Sequence, residues 1–222
     1  MAGKVLVGEQ RQDKPGTRVA ADAALRVKDG ESRFVSRGGD KLWAALADLG
    51  LQESIKGMVI LDVGASTGGF THCCLELGAK HVIALDVGTG QLAWELRQDP
   101  RVSVLEQTDI REFDPQAFPA IDLVIADISF NSLARLAPAL RNAAPQDGVS
   151  FLVLVKPQFE LPRAAVPQGG VVIDPAQREL ALAAVRTAFG KLGLGDGRSV
   201  SSRLAGRAGN QEIFYFVRAG RI

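Results

Sequence analysis

"LDVGASTGGF", the stretch Leu61–Phe70, decides the fold that this sequence predicts. It joins the end of an apolar run to a glycine-rich turn and then to the start of an amphipathic segment. A strand, a turn and a helix in this order are typical of an open α/β sheet, in which ligands bind beyond the carboxyl ends of the strands. We expect Ser66 or Thr67 to cap the helix. The glycines that let the turn approach a ligand closely are Gly64, Gly68 and Gly69.

Apolar runs and amphipathic segments alternate along the rest of the chain. Continuous apolar strands interleaved with helices predict a parallel sheet that is covered on both faces. The predicted strands are "MVILDV", "HVIALDV", "VSVLE", "IDLVIAD" and "FLVLV". The predicted helices are "GGFTHCCLELG", "GQLAWELRQ", "NSLARLAPALRNA" and a long helix over about 175–192. The last segments, "RSVSSRL" and "EIFYFVR", predict a terminal pair with an antiparallel strand, which completes a doubly wound, mostly parallel, seven-stranded α/β sheet.

The N-terminal quarter of the chain has a different pattern. Its first thirty residues are polar and turn-rich between the short apolar runs "KVLV" and "ALRV", which predicts a small β-rich appendage. A helix follows in Ser36–Leu51, because apolar residues recur there at helical spacing and Gly50 can end it. Those apolar residues are Leu42, Ala45, Leu46 and Leu49.

Composition narrows the classes of protein. Cys73 and Cys74 are neighbours in an apolar stretch, which favours small reduced side chains and a cytoplasmic protein. The sequence shows neither a signal peptide nor a membrane span, and it suggests no metal site. The net charge is +1, yet residues 1–41 and 198–222 are basic while the middle of the chain is acidic. This asymmetry is either ordinary surface scatter or a sign that both ends converge on a polyanion.

Three acids stand at the ends of successive predicted strands. Asp62 precedes the glycine turn, where a carboxylate suits an ammonium or sulfonium group better than the phosphates of a dinucleotide. Asp86 ends the second strand and can accept hydrogen bonds from ribose hydroxyls. Asp109 follows the third strand and can accept from an adenine amino group. The set favours S-adenosylmethionine over a nicotinamide dinucleotide as the cofactor.

The fourth and fifth strands end in opposite charges, Asp127 and Lys156. If the strands are adjacent, the two side chains emerge together beside the cofactor, where a paired charge in a cleft is a functional candidate. Asp127 is followed by "ISF" and not by the proline-rich aromatic motif of nucleobase amino-group methyltransferases. Carbon methylation would need a nucleophilic cysteine, but both cysteines lie on the first helix of the sheet domain. A ribose hydroxyl remains attractive, because a positioned lysine helps to remove its proton.

These residues resemble a known family. Lys41 in "SRGGDKL", Asp127, Lys156 and Glu212 in "GNQEIFYF" are similar to the Lys-Asp-Lys-Glu tetrad of the FtsJ-like ribose 2′-O-methyltransferases. Within that superfamily, a stretch from about Ser36 to Val217 resembles the TlyA group of hemolysin-like rRNA methyltransferases. The motifs that carry this resemblance are "SRGGDKL", "DVGASTGGFT", "ALDVGTGQLAWELRQDPRV", "DISF", "VKPQFE" and "GGVVID".

The resemblance implies a Rossmann-like class I methyltransferase that uses S-adenosylmethionine to methylate ribose 2′-hydroxyls, with ribosomal RNA or ribosomal subunits as partners and no membrane. Lys156 would help to deprotonate the attacking 2′-hydroxyl and favour the alkoxide that results, Asp127 would orient and tune Lys156, and Lys41 and Glu212 would position the ribose. The expected cofactor-binding set is Asp62, Gly64, Ser66, Gly68, Gly69, Phe70, Asp86, Asp109 and Asp127.

The same family carries a small N-terminal RNA-binding domain named after a ribosomal protein, and the first residues of this chain resemble its second half. We therefore expect a partial RNA-binding segment over 1–32 and the methyltransferase domain over 33–222. Phosphate contacts are expected from Arg33, Arg37, Arg203 and Arg207.

Three other hypotheses stay open at this point. The first is a weakly catalytic or non-catalytic RNA-binding factor in ribosome assembly. The second is a membrane-active hemolysin, although no amphipathic hairpin or apolar span supports it. The third is a nicotinamide dehydrogenase, which would leave Asp62 and the tetrad unexplained.

Overall fold

The computed structural model describes residues 5–8, 10–12, 17–20, 23, 25–27 and 32–219. The chain divides into two compact units, Met1–Arg33 and Phe34–Ile222. The first unit contains a three-stranded antiparallel sheet in the order β2-β1-β3, formed by β1 (Val5–Val7), β2 (Gln10–Gln12) and β3 (Leu25–Val27). The two apolar runs predicted as strands are confirmed, and a polar third strand lies between them in the sequence.

The second unit is built on a seven-stranded sheet. Its strands are β4 (Val59–Val63), β5 (His81–Leu85), β6 (Val102–Leu105), β7 (Leu123–Ala126), β8 (Ser150–Val155), β9 (Arg198–Ser201) and β10 (Ile213–Arg218). They follow the order β6-β5-β4-β7-β8-β10-β9. Neighbours from β6 to β8 are parallel, whereas β10 is antiparallel to both β8 and β9. The predicted doubly wound sheet with an antiparallel C-terminal strand is confirmed.

Helices cover both faces of this sheet. They are α1 (Arg37–Leu49), α2 (Gly69–Glu76), α3 (Trp94–Gln98), α4 (Leu133–Ala143), α5 (Pro157–Glu160) and α6 (Pro175–Gly190). The apolar residues of α1, α2 and α3 pack in one core, and those of α4 and α6 pack in the other. Successive residues of β4 alternate between the two cores, which is why the strands are apolar throughout.

The predicted helix boundaries need few changes. Gly50 ends α1 with a left-handed backbone at φ 69°, as expected, and the four apolar residues predicted for its inner face are all buried. The helix predicted over "GQLAWELRQ" begins only at Trp94, so α3 is a single short turn. None of the helices in the described part of the chain is long and apolar enough to cross a membrane.

The strand order creates the place where a ligand can bind. β4 lies between β5 and β7, so the chain leaves β4 toward one side of the sheet and later crosses to the other side. A crevice forms outside the carboxyl ends of the strands at such a switch point. The turn after β4 and the residues after β5, β7 and β8 therefore share one edge of the sheet.

Candidate active site

The ends of β7 and β8 bring together Asp127 and Lys156. These strands are parallel neighbours, with Ala126 opposite Val153, so both charged residues leave the sheet at its carboxyl edge. The Nζ atom of Lys156 lies 2.6 Å from Asp127 Oδ1 and donates a hydrogen bond to Ser129 Oγ at 2.8 Å. Lys156 is only 8% exposed, and an unpaired ammonium at that depth would be costly. The structure therefore pairs the ammonium at the end of the buried strand.

A second ion pair stands beside the first. Lys41, on α1, lies with its Nζ atom 2.5 Å from Oε2 of Glu212, which directly precedes β10. Ile213 pairs with Val155 across β10 and β8, so Glu212 is at the register position next to Lys156. Glu212 is 3% exposed. The four residues predicted to be catalytic thus form two ion pairs at the same edge of the sheet, each made of one buried and one partly buried side chain.

Asp62 is the most deeply buried acid of this edge. Its Oδ2 atom accepts a hydrogen bond of 2.6 Å from Thr71 Oγ1, and its Oδ1 atom has no hydrogen-bond partner among the described residues. Burial is the main reason why the pKa of Asp62 is raised to about 7. Repulsion from Asp127 and Asp86 also raises this pKa, whereas the hydrogen bond from Thr71 lowers it. A buried carboxylate with a free oxygen is stabilised by a cationic group placed next to it.

Asp86 organises the loop after β5. Its Oδ2 atom accepts a hydrogen bond of 2.8 Å from the backbone N–H of Ser66, and its Oδ1 atom accepts one of 2.7 Å from Gly88. Gly64 turns away from β4 at φ 83°, and a Cβ atom there would lie 2.6 Å from the carbonyl oxygen of Asp127. Asp86 and Gly64 therefore hold the turn after β4 against the ends of β5 and β7.

The cap of α2 differs from the expectation. Gly68, with φ 94°, is the N-cap residue, and it has no side chain with which to cap the helix. The prediction that Ser66 or Thr67 caps α2 is wrong. Ser66 lies two residues before the cap position, and its backbone N–H is bound by Asp86. A Cβ atom on Gly68 would also lie 2.8 Å from Leu92 Cδ1. Gly68 is needed for its backbone conformation and for a close contact within the protein.

Gly69 and Phe70 also serve packing. A Cβ atom on Gly69 would lie 2.7 Å from the backbone nitrogen of Gly39 in α1, so α1 and α2 touch through their backbones. Phe70 is 3% exposed, and its ring centroid lies 6.0 Å from that of Phe214 in the core. The structure thus places these two predicted cofactor residues in the joint between the helices and the sheet.

Asp109 is occupied by its own turn. It caps a short 3-10 turn after β6 by accepting a hydrogen bond of 2.9 Å from the Arg111 backbone, and its carboxylate pairs with the Arg111 guanidinium at 2.6 Å. Hydrogen bonds from Arg111 lower the pKa of Asp109 to about 2. Among the described residues, Asp109 forms its hydrogen bonds and ion pair with Arg111 and none with the other predicted site residues.

The predicted RNA-contacting arginines are all exposed. Arg37, at the start of α1, donates a hydrogen bond of 3.1 Å to the carbonyl oxygen of Ala205. Arg203 forms an ion pair with Asp48 of α1. These contacts join α1 to the loop between β9 and β10, which also carries Arg207. Arg33 belongs to the first unit.

The same β9–β10 loop reaches the second ion pair. A Cβ atom on Gly206 would lie 2.6 Å from Oε1 of Glu212, the partner of Lys41. Arg37 and the two arginines of the loop therefore belong to the segments that build the edge of the sheet where the four predicted catalytic residues lie, which we call the catalytic edge.

Sequence reasoning missed Thr71, which binds Asp62, and also missed Ser129 and Phe130. Ser129 accepts a hydrogen bond from the Lys156 ammonium, a contact that no pattern in the sequence predicts. Phe130 is 91% exposed with φ 65°, and its ring centroid lies 5.7 Å from that of Phe159. In the sequence, the "ISF" after Asp127 served only to exclude the motif of nucleobase amino-group methyltransferases. Neither periodicity nor charge marks Ser129 or Phe130 as functional.

A family model described as FtsJ-like methyltransferase matches residues 34–219. The chain belongs to this family. It is 46% identical over 219 residues to the 16S/23S rRNA (cytidine-2′-O)-methyltransferase TlyA of Mycobacterium tuberculosis, a match that covers 98% of this chain and 81% of that protein. Hemolysin A of Brachyspira hyodysenteriae is 35% identical over 207 residues, covering 87% and 84% of the two chains. The solved structure of a candidate hemolysin from Streptococcus thermophilus superposes with a TM-score of 0.83 at 38% identity, covering 98% and 79%.

As an FtsJ-like methyltransferase, the protein uses S-adenosylmethionine, which supplies an electrophilic methyl group on a sulfonium centre. The residues at the edge of the sheet fit this cofactor. Asp62 Oδ1, which has no hydrogen-bond partner in the described part of the chain, suits a cationic group, and Asp86 lies at the end of the next strand. Within the described residues, no group of three acidic, histidine or cysteine side chains is placed to hold a metal ion.

Proposed function

We propose that this protein transfers the methyl group of S-adenosylmethionine to a ribose 2′-hydroxyl of ribosomal RNA. The observation that carries the proposal is the buried ammonium of Lys156, held by Asp127 and Ser129 at the edge of the sheet where the glycine turn lies. The name of the Mycobacterium tuberculosis relative specifies a cytidine in 16S and 23S rRNA, and we take cytidine as the nucleoside to test first.

Lys156 has the central role in the proposed reaction. A ribose hydroxyl is a weak nucleophile at neutral pH, so the enzyme must stabilise the negative charge that develops on its oxygen. An ammonium held in a site with little water does this well, because it needs no reorganisation as the charge appears. Asp127 and Ser129 fix the direction of the ammonium, and the Lys41–Glu212 pair lies next to it to hold the ribose. Orientation of the hydroxyl for in-line attack supplies the rest of the rate.

The proposed cofactor site is narrower than the set expected from the sequence. Asp62 would face a cationic part of the cofactor and Asp86 its ribose hydroxyls, while Gly64 and Ser66 form the turn between them. Gly68, Gly69 and Phe70 would support this turn from behind, since they pack against neighbouring helices and the core. Asp109 would accept a hydrogen bond from the adenine with the lone pairs of its carboxylate that do not bind Arg111.

RNA would bind over the same edge. Arg37, Arg203 and Arg207 offer positive charge on the segments that carry Lys41 and Glu212, and guanidinium groups pair well with phosphates. The exposed ring of Phe130 could stack on an unpaired base near the reacting ribose. We assign the segment over 1–32 as a partial RNA-binding domain and 33–222 as the methyltransferase domain. Because the substrate is ribosomal RNA, we place the reaction in the cytoplasm.

The deciding experiment is methyl transfer from labelled S-adenosylmethionine to ribosomal subunits and to deproteinised rRNA, followed by mapping of 2′-O-methyl sites. Lys156→Met keeps the volume of the buried side chain and removes its charge. We expect this variant to lose roughly a hundredfold or more in rate, a typical effect for one positioned acid-base or electrostatic group. Calorimetry should show that it still binds S-adenosylmethionine.

Lys191→Met is the matched control, because Lys191 is an exposed lysine after α6 on the far side of the sheet domain. It should methylate at the normal rate. Absence of methyl transfer to either form of the RNA, with no difference between the two variants, would sink the proposal. That result would instead support the non-catalytic ribosome-assembly role.

A further inference from the structure

The short helix α5 follows Lys156 directly and contacts the loop after β7 at three points. Lys156 itself contacts Asp127 and Ser129, as described above. One turn later, the ring of Phe159 lies against the ring of Phe130. The third contact is made by Glu160, the last residue of α5. Segment 156–160 thus runs alongside segment 127–134, and both contain residues of the catalytic edge.

Among the described residues, the hydrogen-bond partners of the Glu160 carboxylate all lie at the start of α4. Its Oε1 atom accepts a hydrogen bond of 2.7 Å from the Leu133 backbone. Its Oε2 atom accepts one of 2.7 Å from Ser132 Oγ and a longer one of 3.3 Å from the Ala134 backbone. The first N–H groups of a helix have no partner within the helix and carry partial positive charge, so a carboxylate is the preferred acceptor there.

The loop between these contacts needs such support. It spans 127–132, and Phe130 within it has φ 65°, a conformation that a bulky residue rarely adopts. Ser129 and Phe130 are exposed, so the core does not hold them in place. Strained backbone persists where the surrounding contacts determine it. Here the contacts are made by Asp127, at the end of β7, and by Glu160, which ends α5 and binds the start of α4.

We propose that Glu160 is a positioning residue for methyl transfer. By binding the start of α4, it fixes the far end of loop 127–132 and so holds Ser129 in contact with the Lys156 ammonium and Phe130 in its exposed position. Glu160 does not touch the reacting atoms and acts through these two residues. The inference rests on the proposed role of Lys156, and it adds a residue outside the tetrad that sets the geometry of that site.

A purely structural role for Glu160 predicts different behaviour. If Glu160 only stabilised α4, its loss would lower the melting temperature and leave the rate of the folded enzyme unchanged. Asp174→Asn is a matched control, because Asp174 caps α6 by accepting a hydrogen bond of 2.9 Å from Ala176. It also removes one negative charge from a helix N-terminus.

The test compares Glu160→Gln, Ser132→Ala and Asp174→Asn at a temperature well below their melting points. Glutamine keeps the size of the side chain, but its NH₂ group cannot accept the hydrogen bonds that one carboxylate oxygen now accepts. We expect Glu160→Gln to lower kcat at least tenfold with KM for S-adenosylmethionine changed less than twofold. Ser132→Ala removes one of the three bonds to Glu160 and the cap that Ser132 Oγ gives the Arg135 backbone, and it should show a smaller loss of the same kind. Asp174→Asn should keep the normal kcat.

Hydrogen exchange gives a second readout that does not depend on activity. Peptides covering 127–135 should exchange faster in Glu160→Gln than in the wild type, whereas peptides from β8 should not change. Normal kcat in Glu160→Gln, or unchanged exchange in 127–135, overturns the inference while leaving the role of Lys156 intact. If the wild type itself methylated no RNA, the proposed function would fail, and the positioning role would fail with it.

Discussion

At the scale of single residues, the site is a set of charges at the ends of buried strands. Lys156, Glu212 and Asp62 are each less than a tenth exposed. Charges at that depth are tolerated when they are paired, as Lys156 and Glu212 are, and otherwise they shift their pKa. Asp62 has a shifted pKa, since it is buried and one of its oxygens has no hydrogen-bond partner among the described residues. If Asp62 faces the cofactor as proposed, we expect its protonation to affect both folding stability and cofactor binding.

The variant Asp62→Asn tests this link. The folded-state pKa of Asp62 is raised from 3.8 to about 7, so the folded protein holds this proton more tightly than the unfolded chain. Stability from this group is therefore fully present below pH 4 and is lost as the pH rises toward 7. Asparagine carries no such charge, so the variant should be more stable than the wild type by a few kcal/mol at pH 8 and close to it at pH 4.

Urea unfolding at several pH values measures this difference. Asp147→Asn, which changes an exposed acid, should leave the pH dependence as in the wild type. Calorimetry should show weaker binding of S-adenosylmethionine to Asp62→Asn at pH 8, because the negative charge next to the cofactor is gone. Parallel stability curves for Asp62→Asn and the wild type would contradict the account of Asp62.

At the scale of elements, the glycine turn connects the cofactor edge to the helix that carries Lys41. The start of α2 lies so close to α1 that Gly69 faces the backbone of Gly39. Gly69 in this motif is therefore needed for the contact between the two helices. Because α1 also carries Lys41, the distance between α1 and α2 determines the position of the Lys41–Glu212 ion pair.

Gly69→Ala should separate the two helices. The added Cβ atom would lie 2.7 Å from a backbone nitrogen, which cannot rotate away, so α1 or α2 must shift. Overpacking of this kind costs about 1–3 kcal/mol. We expect a lower urea midpoint and also a lower kcat, since a shift of α1 displaces Lys41 from Glu212.

Gly190→Ala is the control for this substitution. Gly190 ends α6, and a Cβ atom there would meet nothing within 4 Å. Alanine is the better helix former, so this variant should be as stable as the wild type or slightly more stable. Equal stability of Gly69→Ala and the wild type would show that the helices can move apart at no cost.

At the scale of the whole molecule, basic residues lie on the segments that build the catalytic edge. The net charge is only +1, so attraction of RNA depends on where the charges are and not on their sum. Among the arginines proposed to contact RNA, Arg203 is already paired with Asp48. Arg207 has no ion pair with any residue that the structure describes, and it is exposed. It should contribute most directly to phosphate binding.

Salt titration of RNA binding tests this assignment. Loss of one phosphate contact lowers the slope of log K against log salt by about 0.7–0.9. We expect Arg207→Ala to show this decrease together with weaker binding at low salt. Arg186→Ala should keep the wild-type slope, because Arg186 lies on α6, over the opposite face of the sheet from α1, and pairs with Glu179. Equal slopes for Arg207→Ala and the wild type would remove Arg207 from the RNA surface.

The sequence predicted most of this architecture because its signals are local. Apolar runs and helical periodicity were enough to find the strands β4 to β8 and the main helices. Charged residues at the ends of such runs pointed to Asp127 and Lys156, and the resemblance to a family added Lys41 and Glu212. The capping of α2, the burial of Phe70 and the pairing of Asp109 with Arg111 were not visible, because each depends on a backbone angle or a neighbour that no sequence pattern shows.

The sequence by itself determined the class of fold, the edge of the sheet that we propose carries the chemistry, and the residue types placed there. These follow from burial and periodicity, which each short segment carries within itself. Only the tertiary structure decided which charges are paired and which residues support them. Lys41 and Glu212 are 171 positions apart, and Glu160 reaches the start of α4 from 27 positions away. Such partners meet because the strand order brings their segments together, and that order is a property of the whole packed sheet.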